Sequence, residues 1–413
     1  MRNWSGHVEF AAAPPAEPMT VGELQALVAR SALIHPLGTA HSFNDIADTT
    51  GVHVSVAALP GDVDIDARAG LAWIPAGMRY GDAARILDAR GLAFHNMASL
   101  GHISVGGSVA TGTHGSGDRN QTLSAAVEAL DLVTAGGDLV TLARGDEDFP
   151  GAVVGIGALG VVTRCAIRVE PRFDVRQYVF DDVAHDDLLA GFDEAFSSAY
   201  SVSFFTTWSP ARRGQVWMKR REHVDAPWTE PTWLGGRLAR VDRHPLPDHD
   251  TVHCTPQAGV LGPWHERLPH FRLDFTPSSG DELQTEYLVP RTRAVGLLRE
   301  LDSLADRIAP LLLVSEIRTM AADDLWLSGA YGRDTVGIHF TWRQDDAVLA
   351  LLPEIDDVLG GGSGRPHWGK LFSTDAVALA ARYPRFDDFH LLADRMDPTR
   401  KFRNGMLDRL LPG

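Results

Sequence analysis

Cysteine is nearly absent from this chain, which holds only Cys165 and Cys254 in 413 residues. The two lie far apart in sequence, and neither belongs to a CxxC or Cys/His spacing. This excludes a disulfide framework and a zinc site of the usual ligand spacing, and we expect no bound metal. The scarcity of cysteine is typical of a reducing compartment, so we expect a cytoplasmic protein.

Long apolar runs and basic charge are also in short supply. A transmembrane helix needs about 20 consecutive apolar residues, and no segment of the sequence has them. The first residues also lack the apolar core of a secretion signal. There are 38 Lys and Arg against 54 Asp and Glu, a net charge of −16. Because a field of that sign repels polyanions, nucleic acids and anionic membrane surfaces are not expected as partners.

Two nucleotide-binding motifs are present only in part. Gly155-Ile-Gly-Ala-Leu-Gly160 matches GxGxxG, but residues 161–169 alternate β-branched residues and predict a strand where that motif needs a helix. The run from Gly364 to Lys370 resembles the start of a P-loop, but Leu371 stands where a Mg²⁺-binding Ser or Thr belongs. The first departure excludes a Rossmann pyrophosphate site, and the second argues against kinase or ATPase chemistry.

The length is too great for one compact core and fits two domains. Short β-rich runs alternate with helix-like stretches through residues 19–170, whereas residues 172–382 carry most of the tryptophans and predict a second domain. Several strand candidates there alternate apolar and polar residues, as expected for a sheet with one buried face and one face toward a cavity; the candidates are 202–208, 215–219, 282–289, 311–319 and 335–342. Residues 383–413 are too few to fold alone, so we expect them to pack on the first domain.

Two segments combine small residues with histidines. Pro36-Leu-Gly-Thr-Ala-His41-Ser-Phe-Asn44 sets a small-residue turn directly against His41. Backbone N–H groups approach an anion closely only where side chains are small, so this turn could hold a pyrophosphate. Read alone, His41 is equally well explained as an ordinary loop histidine. The second segment, Asn96 to Gly117, alternates small and hydroxyl residues with two histidines and could line an extended cofactor.

With these segments the chain resembles the vanillyl-alcohol oxidase superfamily and, within it, the alditol oxidases, across essentially its whole length. The stretches that carry the resemblance are His41-Ser-Phe-Asn-Asp-Ile-Ala47, Asn96-Met-Ala-Ser99, Gly157-Ala-Leu-Gly-Val-Val-Thr163, Gly262-Pro-Trp-His-Glu-Arg-Leu-Pro-His270, Tyr331-Gly-Arg-Asp334, His339-Phe-Thr-Trp342 and Pro366-His-Trp-Gly-Lys370. More distant similarity runs to gulono- and galactonolactone oxidoreductases. The resemblance implies a two-domain α+β flavoprotein: a PCMH-type FAD-binding domain at 1–171, a substrate (cap) domain on an antiparallel sheet at 172–382, and a C-terminal segment at 383–413 that returns to the FAD domain.

The resemblance also implies where FAD would lie. His41 matches the residue that carries a covalent bond to the 8α carbon of the flavin. The other residues that match cofactor-binding positions are Pro36, Leu37, Gly38, Thr39, Ala40, Ser42, Ser99, Ser104, Gly107, Thr111, Gly112, Thr113, His114, Val162 and His367. Thr39 and Ala40 differ from the family pattern, but only among small residues, so covalent attachment is still expected.

Residues that match the polyol site in the family are Ser99, Gln284, Glu316, Arg318, His339, Thr341 and Lys370. Independently of the family, Glu316 and Arg318 are two apart on a strand candidate and so project to one face, as do His339 and Thr341 on the next. Such a face offers donors and acceptors to several hydroxyls and penalises analogues that lack them. Read singly, Glu316 and Arg318 could be an ordinary surface ion pair, and His339 could be a core histidine. Either His339 or Lys370 is the candidate base.

The activity implied is that of an FAD-dependent alditol oxidase. It would oxidise the terminal CH₂OH of xylitol, sorbitol or a similar polyol to the aldehyde by hydride transfer to flavin N5, with O₂ reduced to H₂O₂. Gly106 stands where close alditol oxidases have alanine, and a glycine there should leave the route for O₂ open. The alternatives are an aldonolactone oxidase or dehydrogenase on the same scaffold and, from another class, a flavin-free sugar-binding protein. A monomer is expected.

Overall fold

The computed structural model describes residues 1–246, 249–274, 281–361 and 363–411. In the N-terminal part the strands are β1 Ile34–Pro36, β2 Val52–Val54, β3 Asp64–Asp66, β4 Leu71–Pro75, β5 Leu92–Ala93, β6 Val127–Val133, β7 Leu139–Ala143, β8 Val161–Arg168 and β9 Glu170–Pro171. The α-helices there are α1 Val21–Arg30, α2 Tyr80–Ala89, α3 Val105–Ala110 and α4 Phe149–Val153. Five strands form an antiparallel sheet in the order β3-β4-β8-β6-β7, and β1 pairs in parallel with β2.

Local sequence explains why α1 starts where it does. The Thr20 hydroxyl accepts a hydrogen bond from the Glu23 N–H at 3.1 Å, and the Glu23 carboxylate accepts one from the Met19 N–H at 2.8 Å. This reciprocal arrangement satisfies N–H groups that a helix terminus otherwise leaves unpaired. Leu24 and Val28, one turn apart, are fully buried and fix the face of α1 that meets the core.

The second part is built on a ten-stranded antiparallel sheet. Its strands are β10 Asp174–Ala184, β11 Ser201–Thr206, β12 Arg213–Arg221, β13 Thr232–Trp233, β14 Gly236–Leu238, β15 Gly262–Pro263, β16 Glu282–Pro290, β17 Leu312–Met320, β18 Thr335–Arg343 and β19 Arg365–Pro366. The order is β13-β14-β10-β12-β11-β17-β18-β16-β19, with β15 on β10. Its helices are α5 His185–Ala190, α6 Phe192–Ser197, α7 Arg291–Leu301, α8 Ala305–Ile308 and α9 Asp346–Gly361. The predicted antiparallel sheet is confirmed.

The two faces of this sheet differ in chemistry. Ile317, Ile338, Phe340 and other apolar residues face one side and pack on α7 and α9 in one hydrophobic cluster. The alternating residues of the same strands, among them Glu316 and His339, face a cavity on the other side. This is the division that alternating apolar and polar positions predict.

The C-terminal helices are α10 Ala376–Arg382, α11 Phe386–Met396 and α12 Gly405–Leu410. Apolar residues of all three pack in one cluster with residues from α2, α4 and β6 of the N-terminal part. The carbonyl of Phe402 accepts a hydrogen bond of 2.8 Å from Nδ1 of His35 on β1, and the amide of Asn404 donates to the carbonyl of Ile46. The end of the chain therefore packs directly beside the β1 strand that leads into the His41 turn.

Candidate active site

A cavity of about 730 Å³ lies between the N-terminal part and the polar face of the large sheet. Its walls come from the turn after β1, the loop around α3, the start of β8 and strands β16 to β18. All but one of the sequence-predicted site residues line it. The exception is Gly112, which lies in the turn that follows α3 and has a φ of +69°, a conformation that glycine adopts readily.

The turn after β1 is packed against the start of α3 with little space to spare. A Cβ on Gly38 would lie 2.5 Å from Ser104 Oγ, and one on Gly107 would lie 2.9 Å from the same atom. Ala40 has a φ of +55°, in the left-handed region. Small residues are thus required at Gly38 and Gly107, and the two predicted cofactor segments meet there.

His41 is half-buried among aromatic rings. Its ring stacks on Trp4 with centroids 5.1 Å apart and planes at 18°, and the ring of His102 meets it edge-on at 5.8 Å. Nδ1 lies 2.9 Å from the carbonyl of Thr39, so this nitrogen carries the proton, and Nε2 is buried with no partner in the described chain. Burial and the neighbouring His102 lower the pKa of His41 to about 4. The imidazole is therefore neutral at physiological pH, with one unprotonated nitrogen.

Three buried polar atoms have no hydrogen-bond partner among the described residues; two belong to His41 and Ser104, which line this wall of the cavity, and the third to His102, whose ring meets that of His41. They are Nε2 of His41, Nε2 of His102 and Oγ of Ser104. A buried polar group left unpaired costs free energy, so such a set is typical of a ligand site. The residues present therefore fit a bound polar cofactor.

The GxGxxG match contributes in an unexpected way. β8 begins at Val161, as the sequence predicts, so no helix follows the glycines and the Rossmann site is excluded. Yet Gly155, Gly157 and Gly160 all line the cavity together with Val162. Here the backbone itself forms the cavity wall, because Gly157 and Gly160 have φ values of +79° and +148°, which residues with a side chain rarely adopt.

Strand register assembles the opposite wall. Glu316 on β17 pairs with His339 on β18, and His339 pairs with Glu286 on β16. Residues directly opposite one another across strands point to the same face, so these three side chains form one row. Gln284 and Thr341 form the next row, two positions away. The predicted pairings of Glu316 with Arg318 and of His339 with Thr341 on shared faces agree with this register.

Glu286 is the residue that sequence reasoning missed. Its side chain is fully buried, and its carboxylate bonds Arg318 Nη2 at 2.7 Å and Lys370 Nζ at 2.8 Å, with His114 Nε2 at 3.2 Å. Burial would raise the pKa of this carboxyl, but Lys370 and Arg318 hold it well below its usual range. A signal was available, because Glu286 lies two residues after Gln284 on a strand candidate and so shares its face.

The absence of a side chain at Gly337 makes room for this centre. Gly337 pairs with Arg318 on β17, and a Cβ there would lie 3.0 Å from Glu286 Oε1 and 3.4 Å from His114 Cε1. A Cβ at this position would press on the Glu286 carboxylate and on Met320 Cε, at 3.2 Å, before it reached the histidine.

Lys370 and His339 form a second part of the same network. Nζ of Lys370 lies 2.7 Å from Nδ1 of His339, whose Nε2 lies 3.0 Å from Oγ1 of Thr341. Burial and Lys370 lower the pKa of His339 to about 4, and burial lowers the pKa of Lys370 while Glu286 opposes that shift. Glu286 is the carboxylate in direct contact with the lysine, and the charge of Glu316 acts on its pKa in the same direction.

Glu316 and Arg318 leave an opening toward the cavity. Oε1 of Glu316 accepts a hydrogen bond of 2.9 Å from His270 Nε2, while Oε2 lies 3.6 Å from Arg318 Nε. That Nε is buried and has no hydrogen-bond partner in the described chain. On the other side the guanidinium donates to two acceptors, Nη2 to Glu286 Oε1 and Nη1 to the carbonyl of His114, and these hold it in place. One acceptor and one donor thus point into the same gap.

One group of ligand-type side chains meets here as well. The ligand atoms of His114, Glu286 and His367 lie within 4.8 Å of one another. Arg318 and Lys370 already place two positive charges on Glu286. A metal cation at this point would be repelled by both, so we assign no metal to the cluster.

Comparison with known proteins agrees with the geometry. Residues 14–143 match the family described as FAD binding domain, and residues 281–410 match D-arabinono-1,4-lactone oxidase. The chain is 48% identical to alditol oxidase from a Streptomyces species, over 100% of this chain and 99% of that protein. The chain belongs to the alditol oxidase family. It therefore carries the FAD-binding domain of that family and an oxidoreductase fold of the vanillyl-alcohol oxidase type.

Other relatives of this alditol oxidase family member are more distant. It is 29% identical to L-gulono-1,4-lactone dehydrogenase of Mycobacterium tuberculosis, over 99% of the chain and 98% of that protein. The crystal structure of cholesterol oxidase from B. sterolicum superposes with a TM-score of 0.81 at 15% identity, covering 100% of this chain and 96% of that one. This likeness confirms the two-domain α+β fold. Among the described residues, no helix combines the length and apolar character that a membrane crossing requires.

Proposed function

We propose that this protein is an FAD-dependent alditol oxidase that converts the terminal CH₂OH of xylitol, sorbitol or a similar polyol to the aldehyde, with O₂ reduced to H₂O₂. The observation that carries the proposal is the gap between Glu316 Oε2 and Arg318 Nε, 3.6 Å apart beside the Lys370 amine network. A hydroxyl placed there donates to the carboxylate and accepts from the guanidinium. This pairing suits a linear chain of hydroxyls.

FAD fits the other wall. The turn of residues 36–42 and the start of α3 would hold its pyrophosphate, and His41 would bond covalently to the flavin through an unprotonated ring nitrogen. The orphaned His41 Nε2 and Ser104 Oγ support this assignment. When bound, FAD accepts the hydride and passes the electrons to O₂. The domain limits 1–171, 172–382 and 383–413 belong to the same proposal, with the C-terminal segment closing on the FAD domain.

Lys370 is the group we propose as the base. Once it has lost its proton, the Lys370 amine has two N–H donors, and its neighbours Glu286 Oε2 and His339 Nδ1 are both acceptors. The lone pair then remains for the alcohol proton. His339 is less suited, because Nδ1 accepts from Lys370 and Nε2 donates to Thr341. His339 instead holds the lysine in place, and its neutral state follows from its lowered pKa.

Purified protein tests the proposal directly. Yellow colour that stays with the acid-precipitated polypeptide and peroxide formed on adding xylitol in air are the expected results. Yellow protein that ignores alditols but oxidises gulono-1,4-lactone would replace the proposal by the lactone activity of its more distant relatives. Colourless protein that FAD cannot restore would refute the cofactor assignment and favour a sugar-binding protein. Gel filtration tests the expected monomer, and fractionation of the source cells tests the expected cytoplasmic location.

A further inference from the structure

A buried lysine on the large sheet contacts His270, the residue that donates to Glu316. Lys219, on β12, is 1% exposed. Its Nζ donates to the carbonyl of Leu268 and lies 3.2 Å from His270 Nδ1. The ring of His270 is held edge-on by Phe205 and Trp217, each at 5.2 Å between centroids. Both neighbours fix the plane of the imidazole.

The hydrogen-bond roles of His270 follow from its two partners. A carboxylate only accepts, so the contact of 2.9 Å with Glu316 Oε1 requires the proton on His270 Nε2. Burial and Lys219 lower the pKa of His270 to about 4, so the ring is neutral and its Nδ1 is an acceptor. Lys219 supplies the donor for that nitrogen in either of its own protonation states. The lysine therefore holds His270 in the tautomer that donates to Glu316.

We propose that Lys219 and His270 are positioning residues for Glu316, which aim its second oxygen into the gap beside Arg318 where a polyol hydroxyl would bind. The inference rests on the proposed function, because it assigns the gap to substrate. Without the lysine donor, His270 Nδ1 is a buried acceptor with no partner. The ring can then turn or change tautomer, and Glu316 loses its fixed donor.

The chain offers a matched control. It contains only three lysines, Lys219, Lys370 and Lys401, and none is on the exposed surface. Lys401 is 8% exposed and donates to the carbonyls of Val28 and Ala29, at the end of α1. Lys401→Met therefore removes a buried amine with backbone partners, as Lys219→Met does, but leaves the His270 contact intact.

The test is anaerobic reduction of the bound flavin by xylitol in a stopped-flow instrument. For Lys219→Met we expect an apparent Kd raised about tenfold or more, with the limiting rate of reduction changed less than about threefold. Lys401→Met should keep the wild-type Kd even if it lowers the melting temperature. An unchanged Kd in Lys219→Met, or an equal rise in Lys401→Met, would overturn the inference.

A second pair of variants protects against a folding defect. Glutamine at position 270 can accept through its oxygen and donate through its nitrogen, whereas leucine can do neither. We expect His270→Gln to keep the Kd within about threefold of wild type and His270→Leu to raise it as far as Lys219→Met. Equal Kd values for the two would refute a positioning role. Wild-type enzyme that binds FAD but is reduced by no alditol would instead refute the proposed function.

Discussion

Glu286→Gln is the substitution for which the structure makes the sharpest prediction. The wild-type carboxylate is fully buried between Lys370 and Arg318, at 2.8 and 2.7 Å. Glutamine keeps the shape but removes the charge and puts an NH₂ donor against one of two groups that are themselves donors. Whichever way the amide is turned, one cation faces a donor and both lose their counter-charge.

The expected loss of stability is large. Breaking a buried pair by removing one partner costs about 3–5 kcal/mol, because the other charge is left uncompensated. Since a whole domain is stabilised by only about 5–15 kcal/mol, urea denaturation should show a clearly lower midpoint. The protein can relieve part of this cost by deprotonating Lys370, whose pKa burial already lowers.

That relief gives a second readout. A base must be unprotonated, so the rate of flavin reduction by xylitol should rise with pH through the pKa of Lys370. Removing the Glu286 charge should lower this pKa and move the rising limb at least about one pH unit to lower pH. Asp323→Asn is the control, since this buried carboxylate bonds the hydroxyls of Thr122 and Ser328. A loss below about 1 kcal/mol together with an unmoved limb would refute the reasoning.

Three further predictions follow from the same structure. His41→Ala should abolish covalent attachment, and flavin that still fluoresces with the denatured polypeptide would place the bond elsewhere. Gly337→Ala should raise the KM for xylitol about tenfold by pressing on the carboxylate of Glu286, measured as peroxide formation, whereas an unchanged KM would show that the centre yields without cost. Burial raises the pKa of Asp323 to about 6. The free energy of unfolding of wild type, relative to that of Asp323→Asn, should therefore fall by up to about 3 kcal/mol as pH rises from 4 to 7. A difference between the two proteins that does not change with pH would contradict the raised pKa.

The fold was largely predictable from local pattern. The alternation of apolar and polar residues predicted the ends of strands β16, β17 and β18 to within one residue, because burial of one face leaves a period of two in the sequence. The strand after the GxGxxG run was predicted for the same reason. What local pattern could not give is the order of ten strands, since pairing depends on contacts between distant segments.

The candidate site, like the fold, was only partly predictable from the sequence. Glu316 and Arg318 could be placed on one face from their spacing alone, but their roles came from family resemblance. Glu286 was missed because an isolated glutamate in a strand candidate looks like an exposed residue, and only register puts it between Lys370 and Arg318. Lys219 and His270 were beyond reach, because a loop residue and a strand residue 51 positions apart meet only through tertiary packing.

The scarcity of lysine has a practical consequence. An acylating reagent that seeks ε-amines finds none on the outer surface, and of the three only Lys370, with 14% of its side chain exposed, opens to the cavity. A single ε-amine adduct, located by peptide mass, would thus report passage through the cavity mouth. A series of such reagents of increasing width would gauge the aperture through which a polyol has to pass.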